Sequence, residues 1–221
     1  MHDKFIVLDR SEVWTGSMNY TTGGVYRDNN NLICLHSLPA ASLYSREFEQ
    51  MFSAGHFGPR KLAMLPIPGM QIGDIPVEVY FSPRNGVANH LLAWIDSART
   101  SIFFLAFSFT SNDLGEALRQ RALDGIQVKG VMDDGQVRSN QGTEFDAFKQ
   151  AGLPVRLDGN VSGLMHHKVM IIDESVVVTG SYNFTDSAEM RNDENLVILE
   201  DRDLAAQYLV EFRKIYNEAQ P

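Results

Sequence analysis

Three features of the chain predict an α/β protein of mixed, mostly parallel sheets flanked by helices, made of two related halves of which the first is shorter. Residues 165–199 repeat residues 1–35 without a gap, at an offset of 164. Residues 77–157 alternate short apolar or β-branched runs with helix-period segments, the pattern of a sheet covered by helices. Between these regions, residues 55–76 carry Gly and Pro with no persistent period, as a connecting segment does. The expected organisation is residues 1–54 as the remainder of a first half, 55–76 as a linker and 77–221 as a complete second half.

From the amino terminus, residues 2–17 read as a β-hairpin and residues 30–36 as a strand. Pro39 opens a helix whose Tyr44, Phe48, Met51 and Phe52 make an apolar stripe expected to be core. Residues 77–81 form a short strand, and Leu91 to Ile95 sit on a helix ending near Arg99. Residues 102–109 are apolar throughout, as in a buried parallel strand. Ser111 or Asn112 caps the next helix, which Gly125 ends. A strand at 126–132 leads to Asp133 and Asp134. These are expected as solvated loop carboxylates rather than metal ligands, because no third ligand lies close. A polar loop at 135–142, a helix around Phe145 and Phe148, and a strand at 153–157 complete the alternation. An amphipathic helix carrying Leu204, Tyr208, Leu209, Phe212, Ile215 and Tyr216 closes the chain.

The repeated stretch concentrates the reactive side chains. Strand alternation puts His166 and Lys168 on one face and His167 on the other. A turn after Asp173 and a second β-branched run through Val178 return Ser181 and Asn183 towards that face. An imidazole, an ammonium and neutral donors converging on one point suit an anionic tetrahedral group such as phosphate. In the first copy His2, Lys4, Asp9, Ser17 and Asn19 fall on His166, Lys168, Asp173, Ser181 and Asn183. The register continues through Asn31 on Asn195 to Tyr44 on Tyr208 and Phe48 on Phe212, so this is an internal duplication.

Two copies of His-x-Lys-x4-Asp, each followed by Gly-Ser-x-Asn, resemble the phospholipase D superfamily over nearly the whole chain. The resemblance implies a duplicated phospholipase D-like fold, with pseudo-twofold halves of which the first is truncated here. It also implies that the two motifs face each other and build one phosphodiesterase site, with no metal or other cofactor. The chain is similar to compact members of the superfamily, which include metal-independent endonucleases and mitochondrial cardiolipin hydrolase. The expected partner is therefore a phosphodiester of nucleic acid or phospholipid, with an endonuclease-like activity placed first. Phospholipase D or phosphatidyl-transfer activity is the nearest rival. A phosphate-binding fragment without turnover is the rival of another class.

Phosphodiester cleavage through a phosphohistidine needs a nucleophile, an acid for the leaving oxygen and a base for the water that follows. His2 and His166 divide these tasks. Lys4, Lys168, Asn19 and Asn183, with Ser17 and Ser181, are expected to hold the non-bridging oxygens. Asp9 and Asp173 lie at odd offsets from their histidines, which turns them to the other face, so they are expected to be structural and to bond turn amides. Glu194, 28 residues past His166, is expected to orient a histidine. Its counterpart in the first copy is the neutral Asn30, so the two histidines should differ. Pairing within its own half gives Glu194 to His166, and pairing across gives it to His2.

An apolar content of 44% with 21% charged residues supports a buried core. The net charge of −9 weighs weakly against a broad nucleic-acid surface. The single cysteine, Cys34, excludes an intrachain disulfide and is expected to be a buried thiol without chemistry. No apolar run reaches about eighteen residues, so the chain as given is expected to be soluble, without a transmembrane segment. The first copy has only Met1 ahead of its histidine, where the second has 89 residues from Val77 onward, so the first half reads as truncated. It is expected to be the less stable half, or to be completed in a homodimer. An upstream signal sequence stays open, and no compartment is predicted.

Overall fold

The computed structural model describes residues 1–220. The first half begins with a hairpin of β1 (Phe5–Leu8) and β2 (Glu12–Gly16). Its three-residue loop is closed by the Ser11 amide donating to the Leu8 carbonyl at 3.0 Å, with the two central residues of that turn, Asp9 and Arg10, in the left-handed region at φ 49° and 55°. A short helix α1 (Thr22–Tyr26) follows, capped by Thr21, whose hydroxyl accepts the Gly24 amide at 3.1 Å. β3 (Leu32–His36) completes a three-stranded antiparallel sheet in the order β1-β2-β3. α2 (Leu38–Phe52) is capped by Ser37. Its Tyr44 and Met51 are buried, but Phe48 is 44% exposed and Phe52 76% exposed, stacked on each other at 5.1 Å. Only half of the expected aromatic stripe is core, because nothing packs over the Phe48 side of the helix.

The segment expected as a plain linker is partly structured. It holds a single 3-10 turn (Gly58–Arg60), β4 (Gln71–Ile72) and the start of β5 (Ile75–Ser82). Lys61 within it is 2% exposed and forms an ion pair with Glu47 of α2. α3 (Val87–Ser97), β6 (Ser101–Ala106), α4 (Asn112–Leu123) and β7 (Gln127–Met132) then alternate as expected. The region expected as a polar loop is instead α5 (Asp134–Ser139), whose cap is Asp133. Asp133 is 3% exposed and also accepts the Met165 amide at 3.1 Å, so it is a buried structural acceptor rather than a solvated carboxylate. α6 (Phe145–Gln150), β8 (Val155–Leu157), β9 (Lys168–Ile172), β10 (Val176–Gly180), α7 (Asp186–Met190), β11 (Glu194–Glu200) and α8 (Arg202–Glu218) complete the chain.

The large sheet runs β4-β5-β11-β10-β9-β6-β7-β8. It is mixed and flanked by helices, but its balance reverses the expectation of a mostly parallel sheet. Only β6-β7 and β7-β8 are parallel, and the other five neighbouring pairs are antiparallel. Connection length decides this: a parallel neighbour needs a crossover, here supplied by α4 and by α5 with α6, while the tight turn at Asp173 and Glu174 can only return an antiparallel strand.

One face of the sheet packs Phe104, Met170, Val178 and Ile198 with Leu91 and Leu118 of α3 and α4. The other packs Phe103, Val169 and Val177 under Leu209 and Phe212 of α8. A third core joins the halves, with Val13, Leu35 and Tyr44 packed against Val79, Phe81 and Val197, and the Tyr44 and Phe81 rings meet edge to face at 5.0 Å. The outward face of β1–β3 is different. Ile6, Leu8 and Trp14 are exposed, whereas their counterparts Met170, Ile172 and Val178 are buried. Cys34 lies on the same outward face and is half-buried, not the buried thiol expected, because no helix covers it.

Candidate active site

Each motif is fixed by the glycine that ends its second strand. Gly16 and Gly180 have φ of 152° and 144°, and a Cβ on either would stand 2.3 Å from the carbonyl oxygen of Asn31 or Asn195. That close approach lets Ser17 and Ser181 donate their amides to the same carbonyls at 3.1 and 3.0 Å. The serine hydroxyls, expected on the phosphate, are turned to the neighbouring strand. Ser17 Oγ donates to Asn31 Oδ1 and accepts the Asn31 amide, and Ser181 Oγ accepts the Asn195 amide. Both serines are fully buried and give the Asn31 and Asn195 amides beside them an acceptor.

The two asparagines then cross between halves. Asn31 donates to Thr179 Oγ1 and Tyr208 Oη, both at 2.7 Å. Asn195 accepts from Thr15 Oγ1 at 2.9 Å and from Tyr44 Oη at 3.1 Å. Every member of one set is the repeat counterpart of a member of the other, so the duplication is expressed as a reciprocal exchange. Asn195 also donates to Asp3 at 2.9 Å. Burial, opposed by Lys61 and by that hydrogen bond, raises the Asp3 carboxyl to about 7.

This exchange brings the histidines and lysines together. His2 Nδ1 lies 2.6 Å from Glu194 Oε2, a bond across the halves to a carboxylate with no exposure. His166 Nδ1 lies 2.9 Å from the Ser17 carbonyl oxygen, also across the halves. Asn30 does not reach His166, because its amide donates to the Gly24 carbonyl. A carbonyl only accepts, so His166 carries its proton on Nδ1 and keeps the Nε2 lone pair free. Burial first, then Lys168 and Lys4, push His166 down to about 3. Lys4 and Lys168 each donate to the carbonyl of their own motif's histidine, at 2.6 and 2.8 Å. Lys168 is 1% exposed beside the Phe107 ring, and burial together with Lys4 holds its pKa well below the ordinary lysine value. Two buried lysine side chains that repel each other beside His166 make a cationic pair chemically suited to an anion.

Asp173 accepts from the Arg99, Thr100 and Ser101 amides and from the Thr100 hydroxyl, which holds its pKa below the ordinary carboxylate value despite partial burial. These bonds tie down the approach to β6, not the turn amides that the sequence led one to expect. Asp9 has no such partner among the described residues. Asn183 and Asn19 follow their serines as expected, and the Asn183 amide oxygen is buried without a partner among the described residues.

Sequence reasoning missed Phe107, whose ring lies tilted against His166 with centroids 4.6 Å apart, and Lys61, which lies 3.5 Å from Asp193 beside Glu194. Neither had a signal: one sat in an apolar run and the other in an irregular segment. The asparagine, threonine and tyrosine pairs did have one, since all three fall in the repeat register.

A family model described as cardiolipin synthase, PLD-like domain, matches residues 1–52 and 91–216. The chain belongs to the phospholipase D superfamily. A curated phospholipase D from Rickettsia bellii is 34% identical over 75% of this chain and 81% of its own length. A mitochondrial cardiolipin hydrolase from Mus musculus is 33% identical over 72% of this chain and 71% of its own. Among solved structures, the phospholipase D family member Nuc from Salmonella typhimurium is 35% identical, with a TM-score of 0.62, over 66% of this chain and 97% of that one. A phosphatidylserine synthase from Haemophilus influenzae shares the fold alone, at 14% identity and a TM-score of 0.72, over all of this chain and 62% of that one. The reaction class of this superfamily member is phosphodiester cleavage. No helix among the described residues is long and apolar enough to cross a membrane.

Proposed function

We propose that the chain hydrolyses phosphodiesters through a phosphohistidine on His2, without a metal. The observation that carries this reading is the bond from Glu194 to His2 Nδ1, which leaves Nε2 free. An imidazole that attacks phosphorus becomes cationic, and a buried carboxylate on its far nitrogen stabilises that charge as it develops. His166 has only a carbonyl on its far nitrogen, so it suits proton transfer instead. Burial, then the fields of Lys168 and Lys4, suppress its basicity; a bound phosphodiester anion offsets the part due to the lysines and lets His166 take up the proton that it gives to the leaving oxygen. The same ring, then neutral, accepts a proton from the water that hydrolyses the adduct. Lys4, Lys168, Asn19 and Asn183 meet the non-bridging oxygens, and the two ammonium groups supply the positive charge that a metal supplies elsewhere.

Among substrates, the rim supports a phospholipid ahead of the nucleic acid placed first on sequence. Tyr20, Val25 and Tyr26 around α1 and Val161 and Leu164 beside His166 are all exposed. The two groups adjoin, since the Asn29 amide donates to the Leu164 carbonyl and Asn160 donates to the Arg27 carbonyl. An apolar collar suits acyl chains, and the net charge of −9 disfavours a long polyanion.

Turnover of bis(p-nitrophenyl) phosphate in excess EDTA tests the chemistry. Its leaving group needs no acid, so His166→Ala accumulates an adduct on His2, detected by peptide mass spectrometry; an adduct on His166 in His2→Ala would reverse the assignment. Comparing phospholipid vesicles with single-stranded DNA at equal phosphate tests the substrate class, and faster DNA cleavage would restore the nuclease reading.

A further inference from the structure

We propose that Glu12, Cys34 and His36 form a zinc-binding site on the outward face of β2 and β3, separate from the phosphodiesterase centre. Glu12 and His36 are direct cross-strand partners, and Cys34, opposite Trp14, is two residues before His36 on the same face. Their donor atoms all lie within 4.8 Å of one another. The Cys34 sulfur is 3.7 Å from His36 Nε2 and 4.0 Å from Glu12 Oε2, and His36 Nδ1 is 3.4 Å from Glu12 Oε1. Tetrahedral zinc with bonds of about 2.0–2.3 Å holds its ligand atoms about 3.3–3.6 Å apart, so with one ring nitrogen of His36 and one oxygen of Glu12 as ligands, side-chain rotations have to draw donors that lie within 4.8 Å in to that spacing. The backbone need not move, because the ladder already fixes the three Cβ atoms.

The three residues have no other employment. Their side chains bond only with one another among the described residues, and none touches the catalytic groups. Nor do they belong to the repeated motif. Their counterparts are Val176, Ile198 and Glu200, and the first two are buried in the core. The first copy thus gathers a thiol, an imidazole and a carboxylate where the second has two buried aliphatic side chains and an exposed glutamate.

The ligand chemistry selects the ion. Sulfur with nitrogen and one oxygen suits zinc and disfavours magnesium and calcium, which take oxygen alone. Three protein ligands leave a fourth position for water. Bound zinc staples β2 to β3, the pair of strands that presents Ser17 and Asn31 to the other half.

Zinc titration of the chelator-treated full chain, read by competition with a chromophoric chelator, tests the site. The expected result is one zinc per chain, with affinity about 100-fold lower in Cys34→Ser and in His36→Gln, and unchanged in His2→Ala. Cobalt(II) should give a thiolate charge-transfer band and quench Trp14, and zinc should protect Cys34 from iodoacetamide. Retained bis(p-nitrophenyl) phosphate turnover in Cys34→Ser shows that the variant is folded. Absence of binding at micromolar zinc, or equal binding by the Cys34→Ser, His36→Gln double variant, would overturn the proposal.

Discussion

Replacing Glu194 with Gln keeps the shape and the hydrogen bond to His2 but removes the charge. With an effective dielectric of about 20, a full charge on a ring about 4 Å from the carboxylate interacts by about 4 kcal/mol. A transition state that has developed about half of that charge draws about 2 kcal/mol, which corresponds to a drop in kcat of about 30-fold. Lys4 and Lys168, proposed to meet the phosphate oxygens, keep their bonds to the His2 and His166 carbonyls, so KM should change much less than kcat. The assay is steady-state turnover of bis(p-nitrophenyl) phosphate in excess EDTA, with kcat and KM resolved and folding checked by thermal denaturation. A kcat within about threefold of wild type, a difference of about 0.6 kcal/mol, would refute the charge argument. So would an effect confined to KM, because that would make Glu194 a ground-state contact. The matching substitution Asn30→Ala should leave kcat nearly unchanged, since Asn30 bonds Gly24 and not His166.

The two repeat aspartates should behave unequally: Asp173→Ala strands three amides and costs about 2–3 kcal/mol in urea denaturation, whereas Asp9→Ala falls within about 0.5 kcal/mol of wild type. Equal costs would mean that the approach to β6 is not held by Asp173. The Asp173 contribution is present above the ordinary carboxylate pKa and is lost as pH falls through its lowered value. Asp3 runs the other way. Its carboxyl is raised from 3.8 to about 7, so the folded chain binds the extra proton and stability falls as pH climbs between those values. Asp3→Asn should therefore match wild type near pH 4 and exceed it near pH 8, by chemical denaturation at both. His166, lowered from 6.5 to about 3, gives the opposite slope in both proteins, so the comparison isolates Asp3. Asn195→Ala, which strips acceptors from Thr15 and Tyr44, should cost about 3 kcal/mol, and a cost below about 1 kcal/mol would show that the crossing network contributes little.

The duplication made most of the site legible before any coordinates. His2, His166, Lys4, Lys168 and the strand-turn-strand that carries each pair follow from periodicity and from the repeat. The odd offset of Asp173 separated it from His166 and Lys168 but did not say which amides it would meet. The partner of Glu194 was not legible, because within-half and cross-half pairing leave the same residues in the chain; only the packing of β11 against the first motif selects His2. The bonds that Ser17 and Ser181 make were not legible for a related reason. A hydroxyl beside a phosphate and a hydroxyl satisfying the amide of Asn31 or Asn195 look alike in one dimension. Strand direction failed because an apolar run such as 102–109 records burial on both faces and says nothing of the sense of its neighbours. Lys61 was invisible because an isolated lysine in an irregular segment carries no period, and its role exists only through Glu47 and Asp193.

The exchange of Asn31 and Asn195 has a bearing on whether the halves are separable. Each asparagine is satisfied by hydroxyls that the other half contributes. Cut between the halves, the chain would yield two fragments, each with a polar seam open to water and one of the two histidines. Neither could be lent to another protein as a working module, yet mixed together they would hold complementary seams. The duplication has produced a lock with two identical keys, each cut to turn only in the other's barrel.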